Sequence, residues 1–206
     1  MTLLIAEELA LITLKPKGGC HLMRADLEDV LGGALLAELV AEGQLQRDRD
    51  GDSGPRVLQP LLGEPPADPV LAQVWQAVDG ARAGKAQRTA AKLAAATVLP
   101  RLAERELVSR ERRSVLSDRW APLDQGLVDD LRQRLQRVLV DGTEADARDR
   151  TMIMLLHGAY GLGKSIGYGS GHRAAVRENR KRLGKPEWPE RTTIKTIQGR
   201  RAAASG

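Results

Sequence analysis

Leucine, alanine and valine recur at helical spacing along most of the chain. Residues 31–46, LGGALLAELVAEGQLQ, predict a buried helix that ends at Gly43 and leads into a short strand. A second helix followed by a hairpin is predicted by residues 100–118, PRLAERELVSRERRSVLSD. The pattern therefore predicts an all-α fold, mainly helical around a central bundle, with one or two small β-hairpins near residues 45–60 and 107–117.

Local signals refine the ends and faces of these helices. Thr2 is predicted to cap the first helix, and Asp124 to cap a later one. The inner face of that later helix is apolar at Val128, Leu131, Leu135 and Val138, so its three arginines are predicted to face outward: Arg132, Arg134 and Arg137. Gly32 and Gly33 are costly inside a helix, which indicates that another backbone packs closely there.

Charge divides the chain into two parts. Residues 165–206 hold ten Lys or Arg and three Asp or Glu, which is +7, so the remainder carries 5 − 7 = −2. We predict a helical domain over residues 1–164 and a basic, poorly ordered tail over residues 165–206. Cys20 is the only cysteine, which excludes an internal disulfide and favours a cytoplasmic protein.

Four stretches of the sequence, in this order, resemble the Golgi phosphoprotein 3 family. They are LLIAEELALITL at 3–14, LGGALLAELVAEGQLQ at 31–46, LAERELV at 102–108, and the late pair APLDQGLVDDLRQRLQRVLVDG with DRTMIMLLHGAYGL at 121–162. The resemblance implies a peripheral membrane adaptor on the cytoplasmic face. Such an adaptor binds phosphatidylinositol 4-phosphate or other anionic lipid headgroups and holds a membrane-protein client. It needs no cofactor and is not an enzyme.

The resemblance also implies a lipid site. The family pocket uses a Trp, an Arg near the start of the central helix and two later Arg, and these positions fall on Met23, Gly32, Lys92 and Ala95. Lys92 alone keeps a positive charge there. The candidate lipid-binding residues are therefore Lys92 with its neighbour Arg88, and Arg24 beside Met23. Since one Lys lacks the fork of Arg, the sequence predicts general attraction to anionic lipid.

Two other functions fit parts of the sequence. GAYGLGKS at 158–165 fits a phosphate-binding loop, in which Lys164 and Ser165 would hold the phosphates and Mg²⁺ of a P-loop NTPase. However, the Gly-rich IGYGSG follows where a helix should begin, so the glycines are better explained as the end of a helix. The helix-then-hairpin units also fit a winged-helix protein that binds nucleic acid through the basic tail. Nucleic acid is not the partner that we expect.

Overall fold

The computed structural model describes residues 2–47, 57–59, 63–114 and 117–205. Over these residues the chain forms α1 (Ile5–Thr13), α2 (Arg24–Ala41), α3 (Pro69–Val78), α4 (Ala83–Glu104), α5 (Gln125–Gln136), α6 (Ala147–Gly158), α7 (Leu162–Ile166), α8 (Arg173–Arg182) and α9 (Trp188–Ala203). A π-helical turn, Arg137–Asp141, continues α5, and a 3-10 turn, Ser170–His172, precedes α8. The predicted all-α class is confirmed.

The two predicted hairpins are also present. β1 (Gln46–Arg47) pairs antiparallel with β2 (Val57–Leu58), and β3 (Val108–Ser114) pairs antiparallel with β4 (Ser117–Pro122). Residues 48–56, which cover most of the polar tip of the first hairpin, lie outside the described residues. The second hairpin packs beside the end of α4.

Helix α2 lies at the centre of the bundle and packs against α1, α4, α6 and α9. Its leucines are buried, with at most 1% of each side chain exposed at Leu31, Leu35, Leu36 and Leu39. A side chain at Gly32 would collide with the backbone of α4 at Ala91, and one at Gly33 would collide with Thr193 of α9. The prediction of close backbone packing is therefore confirmed at Gly32, whereas at Gly33 the space is taken by the side chains of Thr193 and Leu155.

The C-terminal region differs from the predicted poorly ordered tail. Residues 165–205 include α8 and α9, and Ile197 of α9 is fully buried in the core. The Thr193 hydroxyl donates to Oε1 of buried Gln87 at 2.8 Å, and Ile194 occupies the space beside Gly158. This packing is hard to predict from the sequence, because α9 buries only about one residue per turn and most of its other residues are polar or charged. The basic residues of α9 therefore belong to its exposed face.

Buried carboxylates surround the start of α1 and are matched by arginines from distant elements. Glu7 contacts Arg105 at 2.8 Å and Arg101 at 3.2 Å, while Glu8 contacts Arg134 at 2.7 Å and Arg148 at 3.0 Å. We call this group the α1 ion-pair cluster; it comprises Glu7, Glu8, Glu38, Asp149, Arg101, Arg105, Arg134 and Arg148.

Three sequence predictions change at this end of the fold. Thr2 does not cap α1, since the helix begins at Ile5 and the Glu7 carboxylate accepts from the Leu4 N–H at 2.8 Å. Arg134 does not face outward, because its guanidinium reaches across to Glu8 and Asp149. Arg132 likewise turns inward and donates to the carbonyl of Ser165 at 2.9 Å. The aliphatic part of a long arginine side chain can be buried while its guanidinium group reaches a carboxylate or carbonyl oxygen.

Candidate functional site

A cavity of about 760 Å³ opens between α2, α4, the loop before α2 and the β3–β4 hairpin. Its floor is apolar and is formed by Leu14, Leu22, Leu27, Leu31 and Leu99. The loop is fixed to the hairpin, because the Gly19 N–H donates to the Trp120 carbonyl at 3.0 Å. Cys20 lies in the same wall, and burial raises the pKa of its thiol. The base of the cavity is therefore apolar, and its loop is tied to the hairpin by a backbone hydrogen bond.

The hairpin supplies charge to this cavity. Alternate residues of a strand point to the same side, so Arg110 and Arg112 of β3 share one face with Asp118 and Trp120 of β4. All four of these side chains line the cavity. The Arg110 guanidinium contacts the Asp118 carboxylate at 2.6 Å and lies 5.4 Å from the centre of the Trp120 ring. The hydrogen bond from Arg110 lowers the pKa of Asp118.

The third arginine of the cavity comes from α2. Arg24 occupies the first position of the helix, and its side chain is 81% exposed. Its Nε donates to Glu28 Oε1, one turn later, at 2.9 Å. Met23, the residue before it, is also exposed. An apolar floor with three arginines at its rim can hold an anionic group attached to an apolar body.

Comparison with known proteins identifies the family. The Golgi phosphoprotein 3 (GPP34) family model matches residues 5–198. The chain belongs to the Golgi phosphoprotein 3 family. The match includes α8 and most of α9, so the basic C-terminal region is part of the family's domain. A search of curated proteins found no match.

The structure separates the residues that sequence reasoning placed in the family's lipid site. Arg24 lines the cavity, whereas Arg88 and Lys92 lie on the exposed side of α4 and do not line it. Gly32, where the resemblance places a family arginine, faces the backbone of α4 and leaves no room for a side chain. Ala95 is in the cavity wall. The role of Arg24, Arg88 and Lys92 in lipid binding stays a prediction.

Sequence reasoning missed Arg110 and Arg112. The signal was present, because an Arg-Glu-Arg sequence in a predicted strand places both arginines on one face. That this face points into a cavity depends on how the hairpin is placed relative to α2 and α4, which the sequence alone does not give. In this member of the family, the hairpin contributes positive charge to the cavity beside Arg24, and α4 does not.

The GAYGLGKS segment has the geometry of a helix end. Gly158 ends α6, Tyr160 and Gly161 turn the chain, and Lys164 and Ser165 belong to the short helix α7. A P-loop requires a strand before the glycines, and here a helix precedes them. The prediction that these glycines end a helix is confirmed.

The described residues contain no group of three or more His, Cys, Asp or Glu arranged to hold a metal ion. No helix among them has the length and apolar character that crossing a bilayer requires.

Proposed function

We infer that this chain is a peripheral membrane adaptor that binds anionic lipid headgroups, phosphatidylinositol 4-phosphate among them, on the cytoplasmic face of a membrane. One observation carries the proposal: Arg24, Arg110 and Arg112 come from two separate elements and line one apolar cavity. Membership of the Golgi phosphoprotein 3 family supports the same function. A membrane-protein client is the second partner implied by the family, and the proposed activity is binding, without catalysis or a cofactor.

The chemistry of the cavity suits a phosphorylated headgroup. A phosphate monoester accepts several hydrogen bonds, and the guanidinium group offers paired donors in a fixed plane. The leucine floor can receive the glycerol and upper acyl carbons of the same lipid, which a free sugar phosphate lacks. Headgroup and acyl chain would therefore be recognised by different parts of one site.

The experiment compares the cavity arginines with the α4 residues. Arg110→Ala and Arg112→Ala should each weaken binding to vesicles containing phosphatidylinositol 4-phosphate by about tenfold, the loss expected when a charged hydrogen bond is removed. Arg88→Ala and Lys92→Ala remove the same charge from an exposed helix face, so each should weaken binding by less than about threefold. Soluble inositol 1,4-bisphosphate should follow the same order.

The opposite order would contradict the cavity and favour the α4 site that the sequence predicts. Equal losses in all four variants would indicate attraction by net charge alone. Double-stranded DNA added as competitor tests the nucleic-acid alternative, because it should leave vesicle binding unchanged if the cavity holds the lipid.

A further inference from the structure

Tyr160, in the segment that resembles a P-loop, has an exposed aromatic side chain. Among the described residues, three large apolar or aromatic side chains are more than half exposed: Met23 (69%), Leu123 (59%) and Tyr160 (64%). Tyr160 has a φ of 58°, a left-handed conformation that is uncommon for residues other than glycine. The backbone between α6 and α7 thus holds this ring outward. We call residues 159–164 the Tyr160 segment.

The Tyr160 segment lies beside the first turn of α2. The Arg201 guanidinium stacks 4.5 Å from the centre of the Tyr160 ring and donates to the Ala159 carbonyl at 3.2 Å. The same guanidinium pairs with Asp26, three residues after Met23. A side chain at Gly161 would also collide with Leu22, the residue before Met23. Two independent contacts therefore place the Tyr160 segment beside Leu22 and Asp26, which lie on either side of the exposed Met23 in the chain.

Basic side chains flank the junction between α2 and the Tyr160 segment. Arg132 donates to the carbonyls of Ser165 and Leu14, at 2.9 and 3.5 Å, and so joins the neighbours of Lys164 and Lys15. Both lysines are exposed. Burial lowers the pKa of His21, and the nearby charges of Arg132, Lys15 and Lys164 lower it further.

The nearest carboxylates of α2 are already paired. Asp26 is only 2% exposed beneath Arg200 and Arg201, and Glu28 pairs with Arg24. The exposed surface at this junction therefore presents two apolar side chains among positive charges.

We propose that the Tyr160 segment, together with Met23, is a second membrane contact that inserts at the headgroup level of an anionic bilayer. Rings with one apolar and one polar end, such as Tyr, settle at this depth, and flanking basic residues add attraction to acidic lipid. The proposal rests on the proposed function, since it assumes that the protein meets a membrane. The two sites have separate roles. The cavity selects a headgroup, and the Tyr160 segment holds the protein to the membrane surface around that headgroup.

Insertion is tested directly with Tyr160→Trp. On vesicles of phosphatidylcholine and phosphatidylserine, its added fluorescence should shift to shorter wavelength and be quenched by brominated acyl chains. His172→Trp is the matched control, because His172 is exposed in a different depression, between the end of α5 and the start of α8. Its added fluorescence should stay unquenched. Equal quenching in both variants would overturn the proposal.

Affinity supplies the second test. Tyr160→Asn, which tolerates the left-handed backbone, and Lys164→Glu should each lower partitioning onto these vesicles by about fivefold or more. Lys181→Glu makes the same charge change on α8 and should lower it by less than about threefold. Unchanged partitioning in Tyr160→Asn and Lys164→Glu would also overturn the proposal.

Binding of soluble inositol 1,4-bisphosphate separates the two sites. The Tyr160→Asn variant should bind this headgroup as tightly as the unsubstituted chain does, although its partitioning onto vesicles is lower. If Arg110→Ala also retains the headgroup, the cavity assignment fails, whereas the membrane contact at Tyr160 stands on the vesicle result.

Discussion

Arginine serves two different purposes in the α1 ion-pair cluster and at the cavity. In the cluster, Arg134 and Arg148 each contact two carboxylates, and those carboxylates are less than 10% exposed. At the cavity, Arg24 and Arg110 each have one carboxylate partner and remain 81% and 46% exposed. The first arrangement satisfies its charges within the fold. The second leaves guanidinium groups able to accept an anion from outside.

The role of each arginine thus depends on its neighbours. Removing one member of a buried ion pair leaves the other charge unpaired and shielded from water, so substitutions in the cluster should lower the stability of the fold. Exposed pairs contribute little to stability because water screens them, so the cavity arginines should govern binding. Substitutions in the cluster should therefore change the free energy of unfolding, whereas substitutions at the cavity should change affinity for an anion.

Of the substitutions in these two regions, Glu8→Gln should change stability the most. This change leaves two partly buried guanidinium groups facing a neutral amide, and it should lower the free energy of unfolding by about 3 kcal/mol. Glu28→Gln removes the exposed partner of Arg24 and should change that free energy by less than about 0.5 kcal/mol. Urea denaturation measures both. Similar losses in the two variants would erase the distinction between the regions.

A smaller effect should appear as a pH dependence at Glu38. Burial raises its pKa from 4.5 to about 7, although the Ile5 N–H and Arg148 favour its charged form. The folded state thus holds this proton more tightly than the unfolded state, so Glu38 makes stability fall as pH rises from about 4.5 to about 7. The loss is at most about 3 kcal/mol.

Glu38→Gln should remove that slope. Its free energy of unfolding, relative to that of the unsubstituted chain, should rise through the same pH window. Glu144→Gln, on an exposed position in the loop before α6, should give a profile parallel to that of the unsubstituted chain. A flat difference for Glu38→Gln would show that Arg148 keeps Glu38 charged throughout.

The smallest effect belongs to the cavity. Asp118→Asn frees Arg110 from its internal partner, and affinity for soluble inositol 1,4-bisphosphate should rise about threefold, as expected for an exposed pair. The unfolding midpoint should not move. Glu111→Gln, on the opposite face of the same hairpin, is the control and should leave affinity unchanged. Weaker binding in Asp118→Asn would mean that Asp118 orients Arg110 for the ligand.

The elements of the fold could be predicted where apolar spacing or a cap was local. Asp124 caps α5 as predicted, since its side chain accepts from the Leu127 N–H at 3.0 Å. The inner face of α5 is likewise buried at Val128, Leu131 and Leu135. Gly32 and Gly33 even revealed a close helix crossing. These signals depend on residues within a few positions of each other, which a single sequence displays directly.

The candidate site was harder to predict because it depends on distant partners. Asp26 lies in the first turn of α2, but its partners Arg200 and Arg201 come from the far end of the chain. Arg88 and Lys92 have the right charge, but they are exposed residues of α4 that do not line the cavity. Nothing local in the sequence tells which face of α4 the hairpin covers, so the contribution of Arg110 and Arg112 required the three-dimensional arrangement.

The ion pairs between α9 and α2 also determine when this part of the fold can form during synthesis of the chain. Asp26 is separated from Arg200 by 174 positions and from Arg201 by 175. At bacterial or eukaryotic rates of synthesis, a ribosome needs roughly ten to thirty-five seconds to cover that interval. Throughout it, the first turn of α2 exists without the arginines that hold it against the Tyr160 segment. A nascent chain therefore completes the junction between α2 and the Tyr160 segment only when α9 has been made, and a ribosome-bound fragment ending before Arg200 would leave that junction unassembled.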